Sequence, residues 1–305
     1  MTTGNGLHGS LVALVTPVDE HGGLLPGDVE VLVRRAVEDG ATGVVLAGST
    51  GEGALLDPEQ RTALVRIARK VADDLVTADG SRPPTVIVGA YGLTVADLDA
   101  DVTRLAEAGT DLVLVMAPHT YTLRPEELVD LHLGVAERAD VPTLVYHIPQ
   151  LTNSALTPES LPALAAHPRI VGMKDSSPDA ERRCGFAATA AELADFALLT
   201  GHGPTLRQAL VDGVDGSITA IANVRQRQVV ALHAAVAAGD DAEAGRLQDA
   251  IARTSHSLAG LDASMPAALK AALQLDGVVT ERWCRPPLRS VAPARLDHVR
   301  SALLR

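Results

Sequence analysis

The sequence predicts a (β/α)8 TIM barrel with a C-terminal helical extension, and three observations carry that expectation. Short runs rich in valine, leucine and isoleucine alternate with longer helical patterns, and eight such runs can be counted. The runs lack strict polar alternation, which suits strands buried on both faces of a parallel sheet. After about residue 224 the strand signal stops and only helical patterns remain. Eight strands, each followed by a helix, close into a barrel. A doubly wound open sheet is the alternative, but it uses fewer strands and often announces itself with a glycine-rich first turn, absent here.

The strands read, in order, "SLVALVTPV" (10–18), "TGVVLAG" (42–48), "PTVIVGA" (84–90), "DLVLVMA" (111–117), "PTLVYHI" (142–148), "RIVGMK" (169–174), "FALLTG" (196–201) and "GSITAI" (216–221). Between them lie helices with recognisable ends. "DPEQRTALVRIARKVADDL" opens on Asp57 as N-cap and Pro58 as first helical residue. "TVADLDADVTRLAEAG" closes on Gly109, as a glycine C-cap does. "TPESLPALAAH" starts from Thr157 with Pro158 and Glu159 in its first turn. "RQRQVVALHAAVAAG" reads as the eighth barrel helix. "DAEAGRLQDAIARTSHSLAG", "SMPAALKAALQL" and "PARLDHVRSALL" then form the extension. The expected division is a catalytic barrel over 8–238 and a helical extension over 239–305. "TADGSRPP" (77–84) is the clearest polar loop.

At 305 residues the chain accommodates two ordinary domains or one large barrel. Hydrophobic residues make up 47%, with one Trp, three Tyr and two Phe, so the core is built from Ala, Val and Leu. A net charge of −12 argues against nucleic acid, which needs a basic face, and against an anionic membrane surface. No apolar run approaches the roughly 20 residues of a membrane span. The start, "MTTGNGLHGS", lacks the basic and apolar regions of a signal peptide. Cys184 and Cys284 lie far apart and form neither a metal-binding spacing nor a disulfide framework, which points to a reducing cytoplasm.

The positive charge is almost all arginine; the lysines are Lys70, Lys174 and Lys270. Lys70 falls in a charge-studded helix. Lys270 sits in "MPAALKAALQL" and is expected to be a solvated helix residue. Lys174 alone closes a β-like run, where a charge is costly to bury. An arginine there supplies charge but cannot lose its proton and attack.

In such a barrel the chemistry sits at the C-terminal ends of the strands. Strand two ends in "GSTGEG" (48–53), strand five in Tyr146 and strand six in Lys174; "GHGP" and "DGSITAIAN" follow at strands seven and eight. Burial disfavours the charged form of a lysine, which then attacks a ketone as the free amine. The resulting iminium stabilises a carbanion at the adjacent carbon. A phenol nearby relays protons, and a Gly-Ser-Thr-Gly loop offers hydroxyls and N–H groups to a small carboxylate. Together these point to a 2-oxo acid with its ketone on Lys174. Singly they are ordinary: strand-end lysines snorkel to water, tyrosines pack, and such a loop is a turn.

"GSTGE", Tyr146 in "YHIP" and Lys174 in "KDSS" together resemble the dihydrodipicolinate synthase/N-acetylneuraminate lyase family of pyruvate-dependent class I aldolases. "GVDGSITAIANV" (213–224) extends the resemblance, which runs from about residue 8 to about 300. It implies that Lys174 is the imine lysine and Tyr146 the proton-relay tyrosine. Ser49 and Thr50 become carboxylate ligands, with Thr50 also linked to Tyr146. Gly201 and Ile218 line the pyruvate pocket. No metal or organic cofactor is implied beyond the covalent imine, and a homo-oligomer, dimer or tetramer, is.

The chain departs from the family at three places. The synthase branch carries an arginine for the second substrate's carboxylate where Leu151 stands in "YHIPQLTN". That stretch is closer to the lyase and 2-keto-3-deoxy-sugar-acid branches. His202, Gly203 and Pro204 replace the acidic residues of the sialic-acid branch. "PHTYT" replaces the usual tyrosine pair and places Tyr121 near the expected subunit contact. For His202 the reading stays open between a substrate-hydroxyl contact and a loop histidine, while His147 is expected to face the helices, alternating away from Tyr146. The expectation is an aldolase or lyase on 2-keto-3-deoxy sugar acids or similar 4-hydroxy-2-oxo acids. Dihydrodipicolinate synthase itself, a dehydratase using the same imine, or a non-catalytic 2-oxo-acid sensor are the alternatives.

Overall fold

Eight parallel strands pair in sequence order and close on themselves, β8 returning to β1, in the computed structural model of the chain. The structure describes residues 7–76 and 83–303. The strands are β1 (Gly9–Ala13), β2 (Gly43–Leu46), β3 (Thr85–Ala90), β4 (Leu112–Met116), β5 (Thr143–His147), β6 (Ile170–Asp175), β7 (Ala197–Thr200) and β8 (Gly216–Thr219). Around them run α1 (Pro26–Glu38), α2 (Pro58–Asp74), α3 (Val95–Glu107), α4 (Pro125–Arg138), the short α5 (Pro149–Thr152) and α6 (Leu161–Ala165), α7 (Ala180–Ala190), α8 (Leu206–Val211) and α9 (Ala222–Ala237). Then follow α10 (Asp241–Ala259), α11 (Met265–Leu275) and α12 (Leu296–Leu303). Among the described residues no helix is long and apolar enough to cross a membrane.

Two cores follow from the period-two alternation of the strands. Leu11, Ile87, Leu114, Leu144, Leu199 and Ile218 point into the barrel and fill it. Val12, Val44, Val88, Val113, Val145 and Met173 point out and pack under the helices. With so few aromatics, small Ala and Val side chains let helices and sheet approach closely. Helix starts are chemically marked. Asp57 accepts the N–H of Gln60 at 2.7 Å ahead of Pro58, and Thr94 accepts that of Asp97 at 3.1 Å. Gly109, at φ +96°, ends α3 where a side chain would be strained.

The strands end where their hydrogen bonds are taken away. The first run, read over 10–18, stops as strand at Ala13: the Val15 N–H is given to Asn223 Oδ1 at 3.1 Å, and Pro17 has no N–H to give. The eighth run stops at Thr219 because the Ala220 carbonyl is already accepting the Asn223 N–H that starts α9. β6 runs one residue past Lys174, to Asp175. "TPESLPALAAH" begins as a 3₁₀ turn at Pro158–Ser160 before α6, since Pro162 cannot donate into the first helical turn. The loop read at 77–84 and the first six residues of the N-terminal segment fall largely or wholly outside the described residues.

The helix layer buries uncharged histidines. His132 on α4 is fully enclosed, and burial, helped by the neighbouring His147, pushes it down to about 4 from an ordinary 6.5. The unfolded chain therefore binds more protons between about 6.5 and 4, so the contribution is intact above about pH 6.5 and is lost as pH falls through that window. A shift of this size predicts a loss of about 2 kcal/mol between roughly pH 7.5 and pH 5 from this one group. Urea unfolding of wild type and His132→Leu at both pH values measures it: the variant should lose less stability on acidification. Equal losses in the two proteins remove His132 as the source.

Candidate active site

The register of the barrel brings one row of side chains to its C-terminal rim. Met116 on β4 sits opposite Tyr146 on β5, and Tyr146 opposite Lys174 on β6. Lys174 in turn faces Leu199 on β7. The Lys174 Nζ lies 4.2 Å from the centroid of the Tyr146 ring, and both side chains are 4% exposed. The Tyr146 hydroxyl is 2.8 Å from Ser49 Oγ, in the loop after β2. Amine, phenol and alcohol thus form one connected row in a dry setting.

Two buried carboxylates border the row, and both are committed elsewhere. Asp175 follows Lys174 and therefore points outward. It meets His147 Nδ1 at 2.8 Å and accepts from the Ser177 N–H and hydroxyl, each at 3.0 Å. His147 and Asp175 face each other one residue beyond the Tyr146–Lys174 step, so the outer pair locks the register of the inner one. His147 also packs edge-on against Phe186 of α7, with ring centroids 5.4 Å apart, in the helix layer as its alternation requires.

The second carboxylate is Glu52, in the loop "GSTGEG". It forms a fully buried ion pair with Lys270 of α11, and its other oxygen accepts the Arg285 N–H at 2.7 Å. Lys270 donates to the Trp283 carbonyl at 2.7 Å. The Arg285 guanidinium bonds the Leu55 carbonyl at 3.1 Å and the Gly22 carbonyl at 2.7 Å. The expectation that Lys270 is solvated is therefore wrong. It is 1% exposed, because a carboxylate distant in sequence folds onto it. This pair ties the C-terminal extension to the loop that holds Ser49.

The loop itself is tightly bent. Ala47 and Glu52 adopt φ +47° and +57°, and Thr16 Oγ1 donates to the Gly51 carbonyl at 2.6 Å. At Gly53 a methyl group would stand 1.9 Å from the Ala47 carbonyl oxygen and 2.5 Å from the Tyr91 ring. The bend decides which hydroxyl meets the tyrosine. Thr50 was expected to link to Tyr146; the link is made by Ser49, and Thr50 is buried beside it without reaching the phenol.

Gly201, just after β7, is glycine for want of room. Its N–H bonds the Asp175 carbonyl at 2.6 Å. A methyl group there would lie 2.9 Å from Lys174 Cε and 2.0 Å from Ser176 Oγ. Ile218 is buried in the barrel interior with Tyr146 and Leu199. His202 stands one residue further out, half-buried, with Nδ1 2.9 Å from Thr205 Oγ1. Burial, and then Arg183, lower its pKa. Tyr121 is 77% exposed and takes no part in the row.

A cavity of about 250 Å³ opens beside Ser49, lined by Leu55, Tyr91, Met116, Leu151 and Leu288 together with Glu52. Leu151 thus stands where the sequence placed a specificity position. Tyr91, after β3, carried no signal beyond its place at a strand end. Desolvation, and then the neighbouring Tyr146, raise its phenol above the ordinary value. Among the described residues no group of three or more His, Cys, Asp or Glu side chains is placed to hold a metal ion.

The dihydrodipicolinate synthetase family model matches residues 6–305. A 4-hydroxy-tetrahydrodipicolinate synthase from Methylococcus capsulatus is 31% identical over 297 residues, covering 97% of this chain and 98% of its own. The structure of a dihydrodipicolinate synthase from Thermotoga maritima superposes with a TM-score of 0.89 at 27% identity, covering 98% of each chain. One from Acinetobacter baumannii, complexed with pyruvate, superposes at 0.87 with 26% identity, also over 98% of each.

The Glu52–Lys270 pair has a measurable signature. Removing one partner leaves a buried unpaired charge, a loss of about 3–5 kcal/mol. Lys270→Met should lower unfolding free energy by that amount in urea titration, and the double variant Glu52→Gln, Lys270→Met should lose less than Lys270→Met alone. If the single and double variants are equally destabilised, the pair is not what holds the loop.

Proposed function

The chain belongs to the dihydrodipicolinate synthetase family, and from that premise we propose that it is a class I aldolase or lyase joining pyruvate to an aldehyde, or separating them, through an imine on Lys174. The products or substrates are 4-hydroxy-2-oxo acids whose aldehyde half carries no carboxylate, a class that includes 2-keto-3-deoxy sugar acids. The observation that carries this reading is the row Lys174–Tyr146–Ser49, with the amine 4.2 Å over a phenol that is itself hydrogen-bonded.

In the proposed sequence the neutral Lys174 amine adds to the pyruvate ketone, forming a C–N bond. The Tyr146 hydroxyl returns a proton to the carbinolamine oxygen, which departs as water and leaves the iminium. Loss of a proton from the methyl carbon yields the enamine. The enamine carbon attacks the aldehyde carbon, the new C–C bond forms, and the aldehyde oxygen takes up a proton. Water then hydrolyses the iminium, releasing the 4-hydroxy-2-oxo acid and the free amine. Cleavage is the same path reversed. Ser49 holds the Tyr146 hydroxyl at the rim, and Gly201 leaves the Lys174 side chain its space.

A second reading has support of its own: curated relatives are named 4-hydroxy-tetrahydrodipicolinate synthase. It requires a cation for the carboxylate of aspartate semialdehyde. The cavity beside Ser49 is lined by neither Arg nor Lys, and Leu151 faces it.

Incubation with pyruvate and borohydride should add one reduced pyruvate adduct, mapped by peptide mass spectrometry to Lys174. Lys174→Arg should abolish it and keep the fold by circular dichroism. An adduct on Lys70 or Lys270, or none at all, defeats the assignment; a non-catalytic sensor need form none. We also infer a homo-oligomer with the exposed Tyr121, in the segment between β4 and α4, at a subunit boundary. Light scattering at assay concentration checks this, and a monomer refutes it.

A further inference from the structure

We propose that the aldehyde used at this site carries an apolar aliphatic or aromatic arm, held in the cavity formed by Leu55, Tyr91, Met116, Leu151 and Leu288. The inference rests on the pyruvate-imine reading above and narrows the class stated there.

The cavity borders the reacting row. Ser49 lines it, and Ser49 contacts the hydroxyl of the tyrosine that lies under the Lys174 amine. An aldehyde approaching an enamine on Lys174 must leave its arm somewhere, and this space is adjacent. At about 250 Å³ the cavity has room for an arm of several heavy atoms.

The lining decides what that arm is made of. Leu55, Leu151 and Leu288 supply aliphatic wall, Met116 an adaptable one, and Tyr91 an aromatic ring. The polar groups are few. The Ser49 hydroxyl already shares one bond with Tyr146 and keeps room for one more partner. Glu52 is the charged side chain at the cavity, but Lys270 neutralises it from behind and the Arg285 N–H occupies its second oxygen. The Tyr91 hydroxyl and the His119 imidazole are the other polar side-chain groups at the cavity.

A polyhydroxylated arm would find few side-chain partners here: Ser49, Tyr91 and His119. Each unmet hydroxyl would lose its water for no protein hydrogen bond. A carboxylate would fare worse, with no cation among the lining residues. An apolar arm instead removes water from Leu151, whose side chain is 51% exposed and so has apolar surface left to cover. An aromatic arm also finds the Tyr91 ring.

The experiment uses the full-length chain with pyruvate and four aldehydes: benzaldehyde, hexanal, glyceraldehyde and aspartate semialdehyde. Products are quantified by liquid chromatography with mass detection. Wild type should show kcat/KM for benzaldehyde or hexanal at least about tenfold above glyceraldehyde, in line with the roughly 10–200-fold that one matched apolar contact contributes. Leu151→Ser and Leu288→Ser should each narrow that ratio, chiefly through KM for the apolar aldehyde. A wild-type preference for glyceraldehyde or aspartate semialdehyde overturns the proposal. So does a ratio that neither substitution changes. Borohydride trapping with pyruvate alone separates the two levels. An adduct on Lys174 with a preference for the polar aldehydes refutes only the apolar arm. Absence of the adduct refutes the imine reading and this inference with it.

Discussion

The buried pair between Glu52 and Lys270 is the constraint on which the rest of the site depends. Taking two charges out of water costs several kcal/mol for each, and only close mutual contact with further hydrogen bonds offsets it. Those bonds are present: Glu52 also receives the Arg285 N–H, and Lys270 also gives a proton to the Trp283 carbonyl. Because every partner must be in place at once, the C-terminal extension and the loop after β2 are fixed together. That loop carries Ser49, and Ser49 sets the direction of the Tyr146 hydroxyl. The extension is thus mechanically part of the barrel rim, although its helices lie far from Ser49 in sequence.

A second constraint runs along the strands. Alternation sends Tyr146 and Lys174 inward and His147 and Asp175 outward, at adjacent steps of the same register. The outer pair is closed by a 2.8 Å contact and buried under α7. A slip of one residue between β5 and β6 would break the outer pair and separate the amine from the phenol. The inward row therefore needs no ion pair of its own to stay aligned. This matters chemically, because a carboxylate beside Lys174 would hold its proton and oppose attack on a ketone.

Much of this was legible in the residues. Eight apolar runs separated by helices were enough for the barrel, and the rarity of lysine singled out Lys174 at the end of one of them. Leu151 stands out in the residues only as the leucine where the resemblance expects an arginine; that it shares a cavity with Ser49 of the loop after β2 comes from the fold. What was not legible involved contacts across long separations or bent backbone. Lys270 looked solvated because its helix neighbours say nothing about Glu52. The resemblance implies Thr50 as the partner of Tyr146, and nothing in the residues tells how a loop with Ala47 and Glu52 at positive φ turns its two hydroxyls. The first strand was read too long because nothing local reveals that Asn223 takes the Val15 N–H.

The two halves of the site differ in what they do with water. At the base, polar groups are paired so completely that charge is present without being available: Glu52 to Lys270, Asp175 to His147. At the mouth, the Leu55, Leu151 and Leu288 side chains line open space beside Ser49, Tyr91 and His119. Pairing at the base engages both carboxylates with partners other than Lys174. On the proposed imine path, an apolar mouth would exclude water when filled and shield the iminium from hydrolysis before the carbon–carbon step. The same separation lets a chain with net charge −12 keep a lysine in its interior clear of its buried carboxylates: Glu52 is bonded to Lys270 and Asp175 to His147, and Lys174 lies over the Tyr146 ring instead.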